Sequence, residues 1–347
     1  MSILVYGANG YTGRLVVKAA ADQQLPIILA GRTAEPIHAL AKTYGFEKRV
    51  FGLDDPAHLK SALKDIKLVL NCAGPFPRTA PQLVEACLSL GIHYLDITGE
   101  IAVFEWIKTL DSRAKAAGIV LIPGVGFDVV PTDCLTKKLH HDFPEGDTLE
   151  LAFMNLGGGI SHGTLTTMLT NLGSGGAIRK GGKIVKRPLA HQGKIIDFGL
   201  KKRHCIVIPW GDVSTAHFGT GIPNIMVYSA APRKFYYLLK LQSLLNPVFR
   251  TKWFRKWAQA KIDKNIDGPT AEQNQHGRSL VWAKLSAPDG RFVEQRFEGP
   301  ESYWLTALTA LQVAREVLAS PDCSGYQTPA SCLGPELILR IAGTKFF

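Results

Sequence analysis

The chain has 347 residues, 46% of them hydrophobic and 20% charged, with a formal net charge of +11. That length supports two cores rather than one; no stretch approaches the roughly 18 uninterrupted apolar residues of a membrane span, and Met1-Ser2-Ile3 enters a strand-like run without a basic leader, so neither a secretory signal nor a transmembrane anchor is expected. The charge is uneven, 15 Lys and Arg against 17 Asp and Glu in residues 1–150 but 25 against 12 in the remainder, so the second part of the chain is the one suited to an anionic partner.

From the N-terminus, short β-branched runs alternate with longer helical periodicity, the pattern of a parallel sheet with crossover helices. Residues 3–6 are the first strand, and 15–22 continue the first helix. Residues 26–30, 49–51, 68–71, 93–96 and 119–122 follow as strands two to six, which predicts one doubly wound α/β domain over 1–125.

After Gly124-Val125-Gly126 the texture changes. A helix is predicted from Pro131, with strand-like runs at 149–153, 204–208 and 224–228 and a hairpin over 279–297 that turns at Pro288-Asp289-Gly290. This predicts a separate α+β substrate domain over 126–300 with a mainly antiparallel sheet. The end of the chain returns to helical periodicity, with Leu305, Leu308, Leu311, Val313, Val317 and Leu318 apolar, and 301–347 is expected to complete the first domain.

Six cysteines, at 72, 87, 134, 205, 323 and 332, show neither a CxxC nor a Cys/His cluster of metal-ligand spacing. They read as reduced, mostly buried thiols of a cytoplasmic protein, and no metal site is predicted.

Between the first strand and the first helix lies Gly7-Ala8-Asn9-Gly10-Tyr11-Thr12-Gly13. A glycine spacing of this kind is weak alone, but here it follows a strand and opens a helix at the start of a βαβ unit. Glycine is needed where the chain turns tightly and where backbone approaches a pyrophosphate, whose charge the helix N-terminal amides then meet. Strand two ends Ala30-Gly31-Arg32-Thr33, without the carboxylate that would hold a ribose 2′-hydroxyl. A guanidinium that can fork onto phosphate stands there instead, which favours NADP(H), with Arg32 as clamp and Thr33 as hydroxyl donor. Glu35 keeps NAD open. At the end of strand four, Cys72-Ala73-Gly74-Pro75-Phe76 is small enough for close approach to the ribose and nicotinamide half of the cofactor.

These motifs, with ACLSLGIHYLDITGE at 86–100, PGVGFDVVPTD at 123–133, ISHGTLTTML at 160–169, PWGDVSTAHFGTGIPNIMVY at 209–228 and GYQTPASCLGPEL at 325–337, resemble the saccharopine dehydrogenase-like oxidoreductases over nearly the whole chain. The likeness is greatest to the short bacterial branch that includes trans-acting enoyl reductases. It implies a Rossmann domain completed by C-terminal helices, an inserted substrate domain, hydride transfer from a nicotinamide, and substrates such as imines or enoyl chains on lipid precursors. Arg78-Thr79 departs from it, standing where relatives often have glycine.

Hydride transfer needs a proton source beside the reacting atoms. Asp128, in the GFD stretch past strand six, is the first candidate, its alternative being a cap for the helix at Pro131. Glu100, after strand five, is either a substrate contact or a helix-start carboxylate, and Asp96 reads as structural. His162 is the third catalytic candidate, among Thr164, Asp212 and His217 of the second domain. Tyr236 and Lys240 spell YxxxK, read here as coincidence because it lies far beyond the nucleotide domain.

From Pro232 to Lys264 cations interleave with rings, and no acidic residue occurs between Val213 and Ile262. Such a stretch suits an anionic membrane surface or an acidic acyl carrier, or else packs its aromatics inside the domain or a homodimer; no nucleic-acid motif accompanies it. The expected protein is a cytoplasmic NADP(H)-dependent oxidoreductase, peripheral to the membrane if that stretch docks there, reducing a C=C or C=N bond of a small-molecule, lipid-like or thioester-linked substrate. The rival reading is a non-catalytic NADPH-binding scaffold or sensor at a membrane surface.

Overall fold

The computed structural model describes residues 2–171, 175–240, 249, 251–265, 268–319 and 323–347. The chain divides into two compact units, Met1–Val130 with Tyr303–Ile341, and Pro131–Ser302 with Ala342–Phe347.

The first unit is built on a seven-stranded parallel sheet. Its strands are β1 (Ile3–Tyr6), β2 (Ile27–Gly31), β3 (Glu47–Val50), β4 (Leu68–Asn71), β5 (His93–Asp96), β6 (Val120–Ile122) and, late in the chain, β15 (Gly325–Tyr326). Across the sheet the order is β15-β6-β5-β4-β1-β2-β3. Helices α1 (Tyr11–Asp22), α2 (Ala34–Tyr44), α3 (Pro56–Ala62), α4 (Phe76–Leu90), α5 (Ile101–Lys108) and α6 (Asp111–Ala116) alternate with the strands, and α7 (Val130–Asp142) leads out of the unit. Every residue of β1, β2, β4 and β6 is buried, as expected of strands covered on both faces. The strand order reverses between β1 and β4, and a doubly wound sheet opens its binding crevice at that reversal. The loops leaving β1 and β4 are residues 7–10 and 72–75, the two stretches singled out for the cofactor.

The second unit carries β7 (Thr148–Leu156), β8 (Gly176–Lys180), β9 (Lys183–Arg187), β10 (Gly193–Asp197), β11 (Lys202–Val207), β12 (Asn224–Ala230), β13 (Arg278–Ser286), β14 (Phe292–Pro300) and β16 (Lys345–Phe346). Their order is β10-β11-β12-β7-β13-β14-β16, with the β8–β9 hairpin branching from β12. Only β7 and β12 pair in parallel, so the sheet is mixed but mainly antiparallel. Its helices are α8 (His162–Asn171), α9 (Asp212–Thr220), α10 (Arg233–Lys240), α11 (Lys252–Asn265) and α12 (Ala271–His276). Inside it, Lys194 lies over the rings of Tyr228 and Trp282, at 4.9 and 4.8 Å from their centroids, and its ammonium meets Glu150 at 2.5 Å. A cation held this way completes a core beside buried Phe198 and Met154.

The end of the chain is less helical than its pattern suggests. After α13 (Ser302–Leu318), β15 joins the nucleotide sheet beside β6, α14 (Pro329–Leu333) and a 3-10 turn (Pro335–Arg340) follow, and β16 pairs with β14 of the second unit. Cys323 and Cys332 form a disulfide with Cα atoms 5.6 Å apart, which corrects the expectation of six free thiols. The chain reverses between β15 and α14, through a Thr328 and Ser331 capping box, and so brings the two side chains together. Cys87, Cys134 and Cys205 are buried and outside any disulfide, and Cys72 is partly buried and likewise outside one. Among the described residues no helix is long and apolar enough to cross a membrane, and no cluster of His, Cys, Asp and Glu is placed to hold a metal.

Candidate nucleotide site and its acidic neighbour

The loop after β1 is tied down by its own backbone and by Arg14, whose Nε donates to Asn9 O at 3.0 Å. The amides of Gly7 and Ala8 both donate to the carbonyl of Ala30 at 2.8 and 3.1 Å, and that of Gly10 donates to Gly7 O at 3.0 Å. Gly7 has φ +81°, and a Cβ there would sit 2.8 Å from Ala73, the residue that opens the neighbouring loop. A Cβ at Gly13 would stand 2.2 Å from Gly7 O. The two loops therefore pack backbone to backbone, and Gly10 as N-cap offers no side chain to the first turn of α1, whose amides stay available to an anion. Gly13→Ala is expected to lose dinucleotide binding and about 1–3 kcal/mol of stability, by overpacking. A fluorescence titration with NADPH checks it, and parent-like affinity would refute the close-approach argument.

At the end of β2, Arg32 is exposed, and among the described residues it has no ion-pair partner. Thr33 is the N-cap of α2 and makes no side-chain capping bond, leaving its hydroxyl beside the helix N-terminus. Glu35 occupies the first turn of α2. The Tyr6 hydroxyl donates to Phe51 O at 3.4 Å; burial raises its pKa, while the Arg32 charge pulls it down and Asp54 pushes it up. Arg32 and Asp54 thus both act on the Tyr6 hydroxyl, and Asp54 had no signal in the sequence.

The loop after β4 rests on a buried polar chain that pattern reading missed. Asn71 donates through Nδ2 to Thr79 Oγ1 (3.2 Å) and Tyr94 Oη (3.1 Å), and its Oδ1 accepts from the Ala73 amide (2.9 Å). Thr79 donates to Ala73 O at 2.6 Å and so closes the loop from outside. Tyr94 donates to Asp96 Oδ2 at 2.9 Å, and Asp96 Oδ1 accepts from the amides of Thr98 and Gly124, both at 3.0 Å. Three adjacent strand ends, those of β4, β5 and β6, are locked by one network. Desolvation pushes Asp96 up to about 6, and its three donors hold it from rising further. Burial, aided by Asp96, pushes the Cys72 thiol up to about 12, so Cys72 stays protonated at neutral pH and is no nucleophile.

Tyr94→Phe removes one donor from Asp96 and one acceptor from Asn71, and should cost about 1–3 kcal/mol. Because that bond lowers the Asp96 pKa, the variant carboxyl should titrate above 6. A folded pKa raised above its unfolded value gives stability present at low pH and lost as pH rises through the folded pKa. The deficit should therefore be larger at pH 8 than at pH 5 in denaturant titrations, and an equal deficit at both would count against the network.

Asp128 lies beyond β6, on the loop 123–129. Its carboxylate rests against Gly99, where a Cβ would stand 3.1 Å from Oδ2. It makes no hydrogen bond among the described residues, so it does not cap α7, and desolvation alone raises it to about 7. The loop around it is fixed: the Phe127 amide donates to Thr306 Oγ1 at 3.0 Å, and the Val130 amide donates to Gly126 O at 2.9 Å. Glu100 is the N-cap residue of α5, with no side-chain capping bond; its amide donates to Thr98 Oγ1 at 3.2 Å. Asp128 and Glu100 thus leave the carboxyl ends of neighbouring strands of one sheet.

The remaining candidates belong to the second unit. His162 opens α8, partly buried, after the buried Ser161, whose hydroxyl accepts from the Thr164 amide at 3.2 Å. Asp212 is buried and accepts from the Thr132 hydroxyl, and the His217 ring meets Ile222 O at 2.9 Å, both structural roles. Tyr236, partly buried, packs edge-on against the partly buried His204 ring.

Residues 3–122 match the family model described as the saccharopine dehydrogenase NADP binding domain. The match lies within the first unit. The open α1 terminus and the cation, not a carboxylate, after β2 are consistent with a similarity to such a domain. Along the longer chain, similarity extends to a trans-acting enoyl reductase of Mycobacterium ulcerans, 31% identical over 162 residues, covering 44% of this chain and 39% of that one. It also extends to a mouse saccharopine dehydrogenase-like oxidoreductase, 28% identical over 203 residues, covering 51% and 47%. The chain spans less than half the length of these curated relatives. The solved structure of apo saccharopine dehydrogenase (L-Glu forming) from Saccharomyces cerevisiae shares the fold, with a TM-score of 0.66, 13% identity and coverage of 100% of this chain and 99% of that one.

Proposed function

We propose that this protein is an NADP(H)-dependent oxidoreductase that reduces a C=C or C=N bond, in a substrate that is lipid-like or linked as a thioester. The observation that carries the reading is Asp128, a desolvated carboxyl raised to about 7 on the carboxyl edge of an NADP-binding sheet. A carboxylic acid poised near the working pH suits proton donation.

The residues present fit the cofactor. Gly7 to Gly13 and the uncapped α1 terminus would hold the pyrophosphate, Arg32 and Thr33 the 2′-phosphate, and Cys72 to Phe76 the nicotinamide half. When bound, NADPH supplies a hydride, which together with one proton saturates the double bond and leaves NADP+. Asp128 holds that proton in its neutral form, and Gly99 leaves it room. The Asn71, Tyr94 and Asp96 network keeps the loops after β4 and β6 at fixed positions on the edge. Glu100, one strand across, is assigned to substrate orientation. His162 carries no part of this proposal.

The names of the enoyl reductase relatives favour C=C over C=N. The test is NADPH oxidation, followed by absorbance, with a panel of enoyl thioesters and a panel of imines. Turnover with one panel, and mass spectra two hydrogens heavier, supports the reading. NADPH binding without turnover of either would leave the scaffold reading in its place.

A further inference from the structure

Helix α11 separates its residues into two faces. Phe254, Arg255, Ala258 and Gln259 are partly buried, and Gln259 Nε2 donates to Thr166 Oγ1 of α8 at 3.1 Å, which fixes the inner side. Trp253, Lys256, Trp257, Ala260 and Lys261 are exposed, at the spacing of one helical stripe. Trp253 is 73% exposed and Trp257 47%. Lys252 is exposed at the start of the same helix, and the Lys261 ammonium lies 4.6 Å from the Trp257 ring centroid. At the start of α10, Phe235 and Tyr237 are 48% and 60% exposed, beside exposed Arg233 and Lys234. Residues 241–248 and 250, which complete the basic aromatic stretch, lie outside the described residues.

Indole rings are costly to leave in water and are enriched at the headgroup level of a bilayer, where an apolar body and a polar N–H are both satisfied. Among the described residues Arg233, Lys234, Lys252 and Lys256 have no carboxylate partner, and the chain from 213 to 262 contains no acidic residue. Indoles and lysines on one helical face match a headgroup layer, where an apolar zone lies directly beneath a plane of phosphates. Trp253 stands mostly in water, and Trp257, whose ring centroid lies 5.8 Å from that of Phe254, keeps about half of its surface there. We infer that the outer face of α11 docks on an anionic lipid bilayer surface, the indoles of Trp253 and Trp257 entering the interface and the lysines meeting lipid phosphates. This does not depend on the reductase reading.

The test is co-sedimentation of the full chain with vesicles of phosphatidylcholine alone, and of phosphatidylcholine mixed with phosphatidylglycerol. Binding is expected only to the mixed vesicles, weakening as salt rises. Trp253→Ala/Trp257→Ala should reduce it about tenfold or more, and Lys252→Gln and Lys256→Gln about fivefold each, with NADPH affinity unchanged as evidence of folding. Brominated lipid should quench the fluorescence of the parent and not of the double tryptophan variant. The lysine variants, which alter no packed side chain, keep the test open if that variant fails to fold. Failure to bind mixed vesicles, equal binding by the variants, or self-association that the tryptophan variant abolishes would each overturn the inference.

Discussion

Arg32→Ala should raise the Kd for NADPH by about 10- to 100-fold and leave that for NADH almost unchanged, since a charge-assisted contact to phosphate is worth about 1.5–3 kcal/mol. The argument rests on what surrounds the side chain. Arg32 follows β2, exposed, without a carboxylate among the described residues to engage it, and Thr33 and the α2 amides stand next to it. Removing the guanidinium leaves Glu35 in the first turn of α2, a like charge for a 2′-phosphate but not for a 2′-hydroxyl. The variant should therefore shift preference toward NADH. Equal weakening of both nucleotides in paired titrations would show that Arg32 acts on the fold and not on the phosphate.

Asp128→Asn should lower the rate by about 10²- to 10⁴-fold, the range for removing a positioned proton donor. It should also stabilise the protein at alkaline pH. In the folded chain Asp128 is raised to about 7, against about 4 when unfolded, so the folded state binds more protons between those values. Its contribution is present below the unfolded pKa and is lost as pH rises toward 7. At pH 8 the parent holds an ionised, desolvated carboxylate, which asparagine replaces with a neutral group of the same shape. The gain should be on the order of 1–3 kcal/mol at pH 8 and shrink toward pH 5. In the parent, rates limited by this group should fall as pH rises through about 7. A variant equally active, or less stable at pH 8, would place Asp128 among ordinary structural carboxylates.

The nucleotide half of the fold was legible because buried parallel strands announce themselves: β1 is a continuous apolar run, β4 is one up to its last residue, Asn71, and the glycines between β1 and α1 mark a tight turn. The position of Arg32 directly after β2 was legible for the same reason. β15 was not, because two residues carry no periodicity and join the sheet only through pairing with β6. The disulfide escaped because nothing in the spacing of Cys323 and Cys332 says that the chain turns back between them. The Asn71–Tyr94–Asp96 network is a product of strand adjacency, as residue 94 reaches 71 only because β5 lies beside β4. Asp128 was visible as a residue, but its proton affinity comes from partial burial without a hydrogen-bond partner, a property of three dimensions. The basic aromatic stretch was equally plain in composition, while which rings face water required the docking of α11 on α8.

The most direct test of an NADPH-dependent reductase is transfer of deuterium from NADPH labelled at one face of the nicotinamide C4, with product analysed by mass spectrometry. Label from one face alone should appear in the product, and Asp128→Asn should slow its appearance without weakening NADPH binding. NADPH bound by the parent, with label retained from both faces across enoyl thioesters and imines alike, would contradict it.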